Sequence, residues 1–448
     1  MKRETQVNRR GFLTGMAAGA LVGPTILARR AGAQPALERL NIGVIGAGGR
    51  GGWLMDAFMG FPEVQVIAVA DVDRGRVEGT ANRANEKYGA GTCTAYTDFR
   101  ELVARPDLDA VIVASPDHWH ALHSIAALEA GKHVYCEKPL ANSVYEGRAI
   151  ARAVEESGKV FQVGSHERST DSIRRACEIV RAGRLGRVRR VVINLPCDDG
   201  HHNEARAFQG VPEAQPVPPG FDYDMWLGHT PLAPYHERRC HFWWRFNLAY
   251  GGGEMTDRGA HVLDIAQWAL GLDETSPSRI EAYGVQTPGS LYDTFWDYRF
   301  AMTYDNGVVF DGGTDGPRGL RFEGPEGTLF VAIHGGALTA QPSRLLSEVE
   351  GEDLGVDVGR TPNHQRNFLD AIAGNAQPFA PAEAGHRTAA LCHLANIAMK
   401  VNRPLTYDPV TEVILGDSEA NRLLTPTMRA PWTCRLPATS IREWLPLA

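Results

Sequence analysis

No apolar run after residue 30 of this 448-residue chain is long enough to span a bilayer. Its seven cysteines are scattered and include no CxxC pair, so neither a zinc-site spacing nor a disulfide framework is readable. Basic residues are outnumbered, 46 Lys and Arg against 53 Asp and Glu, and form no stripe, which excludes nucleic acid as the expected partner. Beyond the N-terminal segment there are no internal repeats and no low-complexity tracts. What is present, 43% hydrophobic and 22% charged residues, suits a soluble globular protein of two or more domains.

The N-terminus has its own pattern. Asn8-Arg9-Arg10-Gly11-Phe12-Leu13 precedes a mild Gly/Ala-rich apolar run and then Ala31-Gly32-Ala33. Basic segment, apolar segment and small-residue cleavage site in that order mark an export signal. Residues 1–33 are therefore expected to be a twin-arginine-type signal, a route that carries folded proteins, and the protein to be periplasmic or otherwise exported. An uncleaved membrane anchor is the alternative; after signal removal no stable membrane span is expected. Removal leaves 40 of the 46 basic and 52 of the 53 acidic residues, a formal charge of −12.

From Arg39 strand and helix patterns alternate with short connections. Strands are expected at 40–46, 64–70, 110–114, 132–136 and 160–163, and helices at about 52–59, 74–87, 120–130 and 143–157. Such alternation implies a parallel sheet covered on both faces, a Rossmann-type α/β domain over residues 38–162. The pattern then changes. A strand at 187–195 leads into a long irregular stretch, 196–240, and a helix carrying His261. Alternating strands follow at 279–286, 295–304, 307–311 and 327–332, then helices at 363–374 and 383–401. Residues 163–402 are expected to form an α+β domain with an open, mostly antiparallel sheet. Residues 403–448 read as an irregular tail packed on that domain or on a neighbour. The exposed sheet is a surface for a homo-oligomer, dimer or tetramer.

Gly46-Ala47-Gly48-Gly49-Arg50-Gly51 fits GxGxxG, follows a strand, opens a helix, and is followed by Asp71 at the end of the next strand. Gly46 makes the tight turn, Gly48 lets the backbone approach a pyrophosphate, and Gly51 lets helix pack on strand. Gly49 and Arg50 belong to the same turn. A carboxylate at Asp71 accepts from a ribose 2′-hydroxyl and repels a 2′-phosphate, so NAD is expected over NADP, although Arg74 and Arg76 stand nearby. Ser115-Pro116-Asp117-His118-Trp119-His120 and Cys136-Glu137-Lys138-Pro139-Leu140 follow later strands, where ligands bind in such sheets. Ser115, Pro116, His120, Glu137 and Lys138 thus join the cofactor candidates; His118 and His120 equally suit capping of the next helix.

Taken together, GxGxxG, Ser-Pro-x-His-x-His, Glu-Lys-Pro and Asp257-x-x-x-His261 resemble the glucose–fructose oxidoreductase/inositol dehydrogenase (Gfo/Idh/MocA) family over about residues 39–401. The resemblance implies a Rossmann domain, then an α/β domain whose open sheet covers the nicotinamide or mediates oligomers. It implies oxidation or reduction at a sugar or cyclitol carbon with NAD(P). Lys138 takes the place of the family's Glu-Lys-Pro lysine, and Asp257 and His261 that of its Asp-x3-His pair. Asp222-Tyr223-Asp224-Met225-Trp226-Leu227-Gly228, Phe242-Trp243-Trp244-Arg245 and Ala384-Gly385-His386-Arg387 resemble an exported branch. Some exported relatives hold their cofactor tightly. Free NAD is scarce outside the cytoplasm, so this chain is expected to leave with cofactor bound.

Oxidising a secondary alcohol removes a hydride from carbon and a proton from oxygen. His261 is the expected general base. Asp257, one turn earlier on a helix that buries Val262, Ile265 and Trp268, is expected to orient the imidazole, and Lys138 to stabilise alkoxide character. His166, Arg168, Trp244 and Arg245 are the substrate-contact candidates. Asp198, Asp199, His201 and His202 carry metal-ligand chemistry, but a solvated turn is expected there and no metal site is assigned. Two alternatives stay open: a glycosidase that uses NAD for transient oxidation at C3 followed by elimination, and a non-catalytic binding protein.

Overall fold

The computed structural model describes residues 39–361 and 363–434; the expected export signal at 1–33 and residues 435–448 of the tail lie outside them. Strands β1 (Leu40–Ile45), β2 (Val64–Ala70), β3 (Thr94–Tyr96), β4 (Ala110–Val113), β5 (His133–Cys136) and β6 (Phe161–Val163) form a parallel sheet in the order β3-β2-β1-β4-β5-β6. Apolar residues fill β1, β2 and β4 because both faces are covered. Helices Gly49–Met59 and Arg74–Tyr88 lie on one face; Phe99–Val103, His120–Glu129 and Val144–Ser157 lie on the other. Asp73 and Ser143 cap two of these helices through their side chains, which sets where they start.

The second sheet contains β7 (Arg190–Asn194), β8 (Arg279–Val285), β9 (Trp296–Thr303), β10 (Val309–Gly313), β11 (Gly319–Gly324), β12 (Gly327–Val331), β13 (Leu338–Gln341), β14 (Leu405–Asp408) and β15 (Val413–Ile414). Its order is β13-β12-β11-β7-β10-β9-β8-β14-β15, and every pair is antiparallel except β7 with β10. Val191, Ile193, Phe300, Met302, Phe310 and Phe322 point to a core shared with helices Asp171–Arg181, Gly259–Leu270 and Ala382–Val401. Alternate residues on the other face are charged and paired, as in Arg190 with Asp311 and Glu323.

Three expectations need correction. The tail is not irregular throughout: Leu405 and Tyr407 alternate inward, so β14 extends the sheet by pairing with β8. Further on, Met428, Trp432 and Cys434 return to the Rossmann core, where the Trp432 ring lies 5.0 Å from that of Trp119. The stretch 196–240 contains helices Gly200–Ala207 and Tyr223–Leu227, each capped by an aspartate. Finally, helix His364–Ile372, placed with the second domain from sequence, seats Phe368 against Phe58 and Tyr135 of the first. Helix Ala382–Val401 is buried around almost its whole circumference, between helix Val144–Ser157 and β8. Among the described residues no helix is long and apolar enough to cross a membrane.

Candidate active site

A cleft of about 650 Å³ opens where the strand order reverses, between the ends of β1 and β4. Its floor is the glycine turn. Gly46 has φ +92°, and a Cβ there would lie 2.6 Å from the backbone of Ala114 and Ser115. A Cβ on Gly51 would lie 1.8 Å from the Gly46 carbonyl oxygen, so helix and turn touch backbone to backbone. No side chain caps helix Gly49–Met59, which leaves its first N–H groups for an anion. Asp71 accepts from the N–H of Ala47 (2.7 Å) and Asp73 (2.9 Å), which aims its carboxylate at the rim of this turn. Arg76 lines the same rim and pairs with Asp73.

Lys138 crosses from the first domain to the second. Its Nζ donates to Asp257 Oδ1 (2.7 Å) and to the Asp257 carbonyl (2.8 Å). Burial opposes a charge on Asp257, but Lys138, with Arg245 at 3.7 Å, holds the carboxyl far below its usual range. This corrects the expected role of Asp257. The helix is interrupted at Arg258, Asp257 ends a separate short turn, and its carboxylate is hydrogen-bonded to the ammonium rather than to His261. His261 lies within the cleft wall; burial first, then the neighbouring Lys138, pushes its pKa well down and keeps the ring neutral. Its Nδ1 is buried with no hydrogen-bond partner among the described residues.

The loops after β4 and β5 are tied to each other. His120 joins the Ser115 carbonyl (2.9 Å) to that of Pro139 (2.7 Å), positioning the Glu-Lys-Pro loop while lining the cleft. Glu137 pairs with Arg50 at 2.8 Å. His118 belongs to the core instead, bonded to the Trp226 carbonyl, and burial takes its pKa down to about 3. Ser115 and Pro116 line the cleft beside the glycine turn, Ser115 with its backbone against Gly46.

Of the substrate candidates, His166, Trp244 and Arg245 line the cleft, and the Arg245 guanidinium stacks over Trp244 at 4.5 Å. Arg168 does not. It is 3% exposed, paired with Asp264 (2.7 Å) and Asp273 (2.8 Å), and lies over Trp268; a buried guanidinium needs those carboxylates, which hold it in the interior away from the cleft lining. His202 is also buried, held between Asp199 (2.7 Å) and Glu254 (3.0 Å), so the Asp-Asp-Gly-His-His stretch is a helix start locked to its neighbour rather than a solvated turn. Sequence reasoning missed Asp117, which burial keeps well above its usual pKa, and the pair Glu167 and His334. His334 sits at φ +62° in the turn between β12 and β13; the glycines after it mark a turn, but nothing local says that this turn reaches the cleft.

A family model described as "Oxidoreductase family, NAD-binding Rossmann fold" matches residues 40–165, and one described as "Oxidoreductase family, C-terminal alpha/beta domain" matches residues 172–434. The chain belongs to the Gfo/Idh/MocA oxidoreductase family. It is 29% identical over 372 residues to levoglucosan dehydrogenase of Pseudarthrobacter phenanthrenivorans, covering 77% of this chain and 82% of that one. It is 26% identical over 332 residues to scyllo-inositol 2-dehydrogenase (NAD(+)) of Bacillus subtilis, covering 71% and 78%. In fold it is similar to the WlbA dehydrogenase of Bordetella pertussis, solved in complex with NADH and UDP-GlcNAcA, with TM-score 0.58, 16% identity and 83% and 99% of the two chains covered.

The residues present in this Gfo/Idh/MocA oxidoreductase fit the dinucleotide its family description names. The backbone-only floor at Gly46 and Gly51, the uncapped helix start, and Asp71 at the end of β2 match the pyrophosphate and ribose in order along one cleft. Lys138 and His261 line that cleft too, one from each domain.

Proposed function

We propose that this oxidoreductase interconverts a secondary hydroxyl and a ketone on a sugar, sugar derivative or cyclitol. NAD(H) is the proposed carrier, with NADP(H) disfavoured by Asp71. One observation carries the reading: an ammonium and a neutral imidazole from different domains line the cleft floored by the glycine turn. Bound nicotinamide supplies the hydride acceptor or donor. His261, unprotonated at neutral pH, takes the proton from the substrate hydroxyl. Lys138, anchored on ionised Asp257, donates a hydrogen bond to the same oxygen as negative charge grows on it. Trp244 and Arg245 offer an aromatic face and donors for the rest of the ring. The named substrates of the dehydrogenases to which the chain is similar, levoglucosan and scyllo-inositol, support this substrate class.

The Arg9-Arg10 signal supports export by the twin-arginine route with cofactor already bound, and the open sheet face supports a homo-oligomer. A panel of sugars and cyclitols, followed by NADH fluorescence with product mass determination, tests the activity. Substrate-dependent NADH formation that falls sharply in His261→Ala is expected. Parent-like turnover in that variant refutes the assignment, and free sugar released from an aryl glycoside without net NADH replaces it with the redox-assisted glycosidase.

A further inference from the structure

Most carboxylates that line the cleft have a cation of their own: Glu137 has Arg50, and Asp257 has Lys138 and Arg245. Glu167, beside the cleft wall, does not. It is 1% exposed, and the ion pairs it makes among the described residues are with two imidazoles, His166 and His334. A buried carboxylate whose ion-pair partners are imidazoles is matched either by a proton on a ring or by a bound cation. The three donors are arranged for a cation. His334 Nδ1 lies 2.8 Å and His166 Nε2 lies 3.8 Å from the same oxygen, Glu167 Oε1. The second distance is too long for a hydrogen bond, and the two bracket the edge of about 3.3 Å that bonds of about 2.0–2.1 Å give a tetrahedron. All three ligand atoms lie within 4.8 Å of one another.

The outer contacts agree. His166 Nδ1 is 3.3 Å from the Gly164 carbonyl; donating a proton there leaves the lone pair on Nε2, the nitrogen that faces Glu167. Arg50 Nη2, which can only donate, competes for the same Nδ1 from the longer distance of 3.5 Å, while Arg50 Nε is tied to Glu137 at 2.8 Å. Glu167 Oε1 also accepts the His334 backbone N–H (2.9 Å), which pins the turn that delivers the second imidazole.

From this geometry we propose that His166, Glu167 and His334 bind a divalent transition-metal ion of the zinc class in the wall of the cleft. Two imidazoles and one carboxylate suit such an ion, and three protein ligands leave a position open for water or a substrate oxygen. The His261 ring lies 4.9 Å from His166 and 5.5 Å from His334, so that open position is within reach of a polyol held at the proposed base. Metal binding stands apart from the redox reading; only this last contact rests on it.

The test uses chelator-treated, tag-free full-length protein titrated with Co²⁺, followed by its visible ligand-field bands and by competition with Zn²⁺. Saturable bands at a single equivalent are expected, with binding about a hundredfold weaker in Glu167→Gln and in His334→Ala. His334 is half exposed in a turn, but its loss also removes a partner of buried Glu167. The melting temperature of the variant is therefore measured alongside, and His334→Ala is compared with Glu167→Gln at temperatures where both are folded. His201→Ala, on the exposed side of helix Gly200–Ala207, is expected to bind as the parent does. Absence of saturable Co²⁺ or Zn²⁺ binding, or parent-like affinity in His334→Ala, overturns the proposal.

Discussion

Adding one methyl group at each of three glycines should separate folding from cofactor binding. At Gly51 the new Cβ would stand 1.8 Å from the Gly46 oxygen, where ordinary contact begins at 3.4 Å, so helix and turn must part by the difference, about 1.6 Å. Hydrogen bonds from Gly46 N–H to Ala70 and from Gly52 N–H to Gly48, both 2.8 Å, hold the turn and helix in place and resist that movement. Gly51→Ala is therefore expected to cost about 3 kcal/mol, the upper end of overpacking, and to lower the melting midpoint by several degrees. At Gly48 the nearest atom is the mobile Arg76 Nη1 at 3.1 Å, so the fold tolerates the methyl group, which instead projects where a pyrophosphate would lie. Gly48→Ala should keep its midpoint and bind NADH about tenfold more weakly, a loss of about 1.4 kcal/mol. At Gly49 nothing lies within 4 Å, and alanine there should leave stability unchanged or slightly raised. Calorimetry without cofactor and NADH fluorescence titration read the two effects separately. A Gly51→Ala protein that melts with the parent, or a Gly48→Ala protein with parent affinity for NADH, refutes the reasoning.

Lys138→Met should retain NADH binding while kcat falls about 10²- to 10³-fold, because it removes the donor at the oxygen; unchanged kcat in steady-state assays argues against that role. Arg168→Met strands Asp264 and Asp273 and should cost about 3–5 kcal/mol in denaturant unfolding, whereas a raised KM at parent stability would restore the substrate role. Burial raises the Glu146 carboxyl to about 8 from its ordinary 4.5, beside His229 at 3.4 Å, which burial takes down to about 4. Folded Glu146 thus holds an extra proton between pH 4.5 and 8, while folded His229 lacks one between pH 4 and 6.5. The two cancel below 6.5, and the pair makes stability fall with rising pH only between about 6.5 and 8, by up to about 1.4 kcal/mol per pH unit. Glu146→Gln should remove this slope; identical pH–stability curves for the two proteins would contradict it.

The Rossmann half was legible because its signals are local: buried strands, glycine turn and capped helices each lie in a few consecutive residues. Helix Asp171–Arg181 was missed because five charged residues hide the stripe Ile173, Ala176, Cys177 and Val180. Strands β11 and β13 carry too few apolar residues to stand out from the turns beside them. At the site, spacing put Asp257 and His261 one turn apart, but spacing assumes an unbroken helix, and the break at Arg258 sends the carboxylate to Lys138. Arg168 and His334 show the same limit in opposite directions. An arginine beside a cleft histidine turned inward to partners about 100 positions on, and a histidine with no local signal came back from the far end of the sheet.

Helix Ala382–Val401 is wedged between the lobes and lined on nearly every side, so the two halves share one interior. A chimera that joins this nucleotide lobe to another member's second lobe should therefore fail at the wedge before any question of specificity arises. Inheritance of new substrates along such a chain would run through the cleft-edge turns, where a side chain can change without disturbing the common interior.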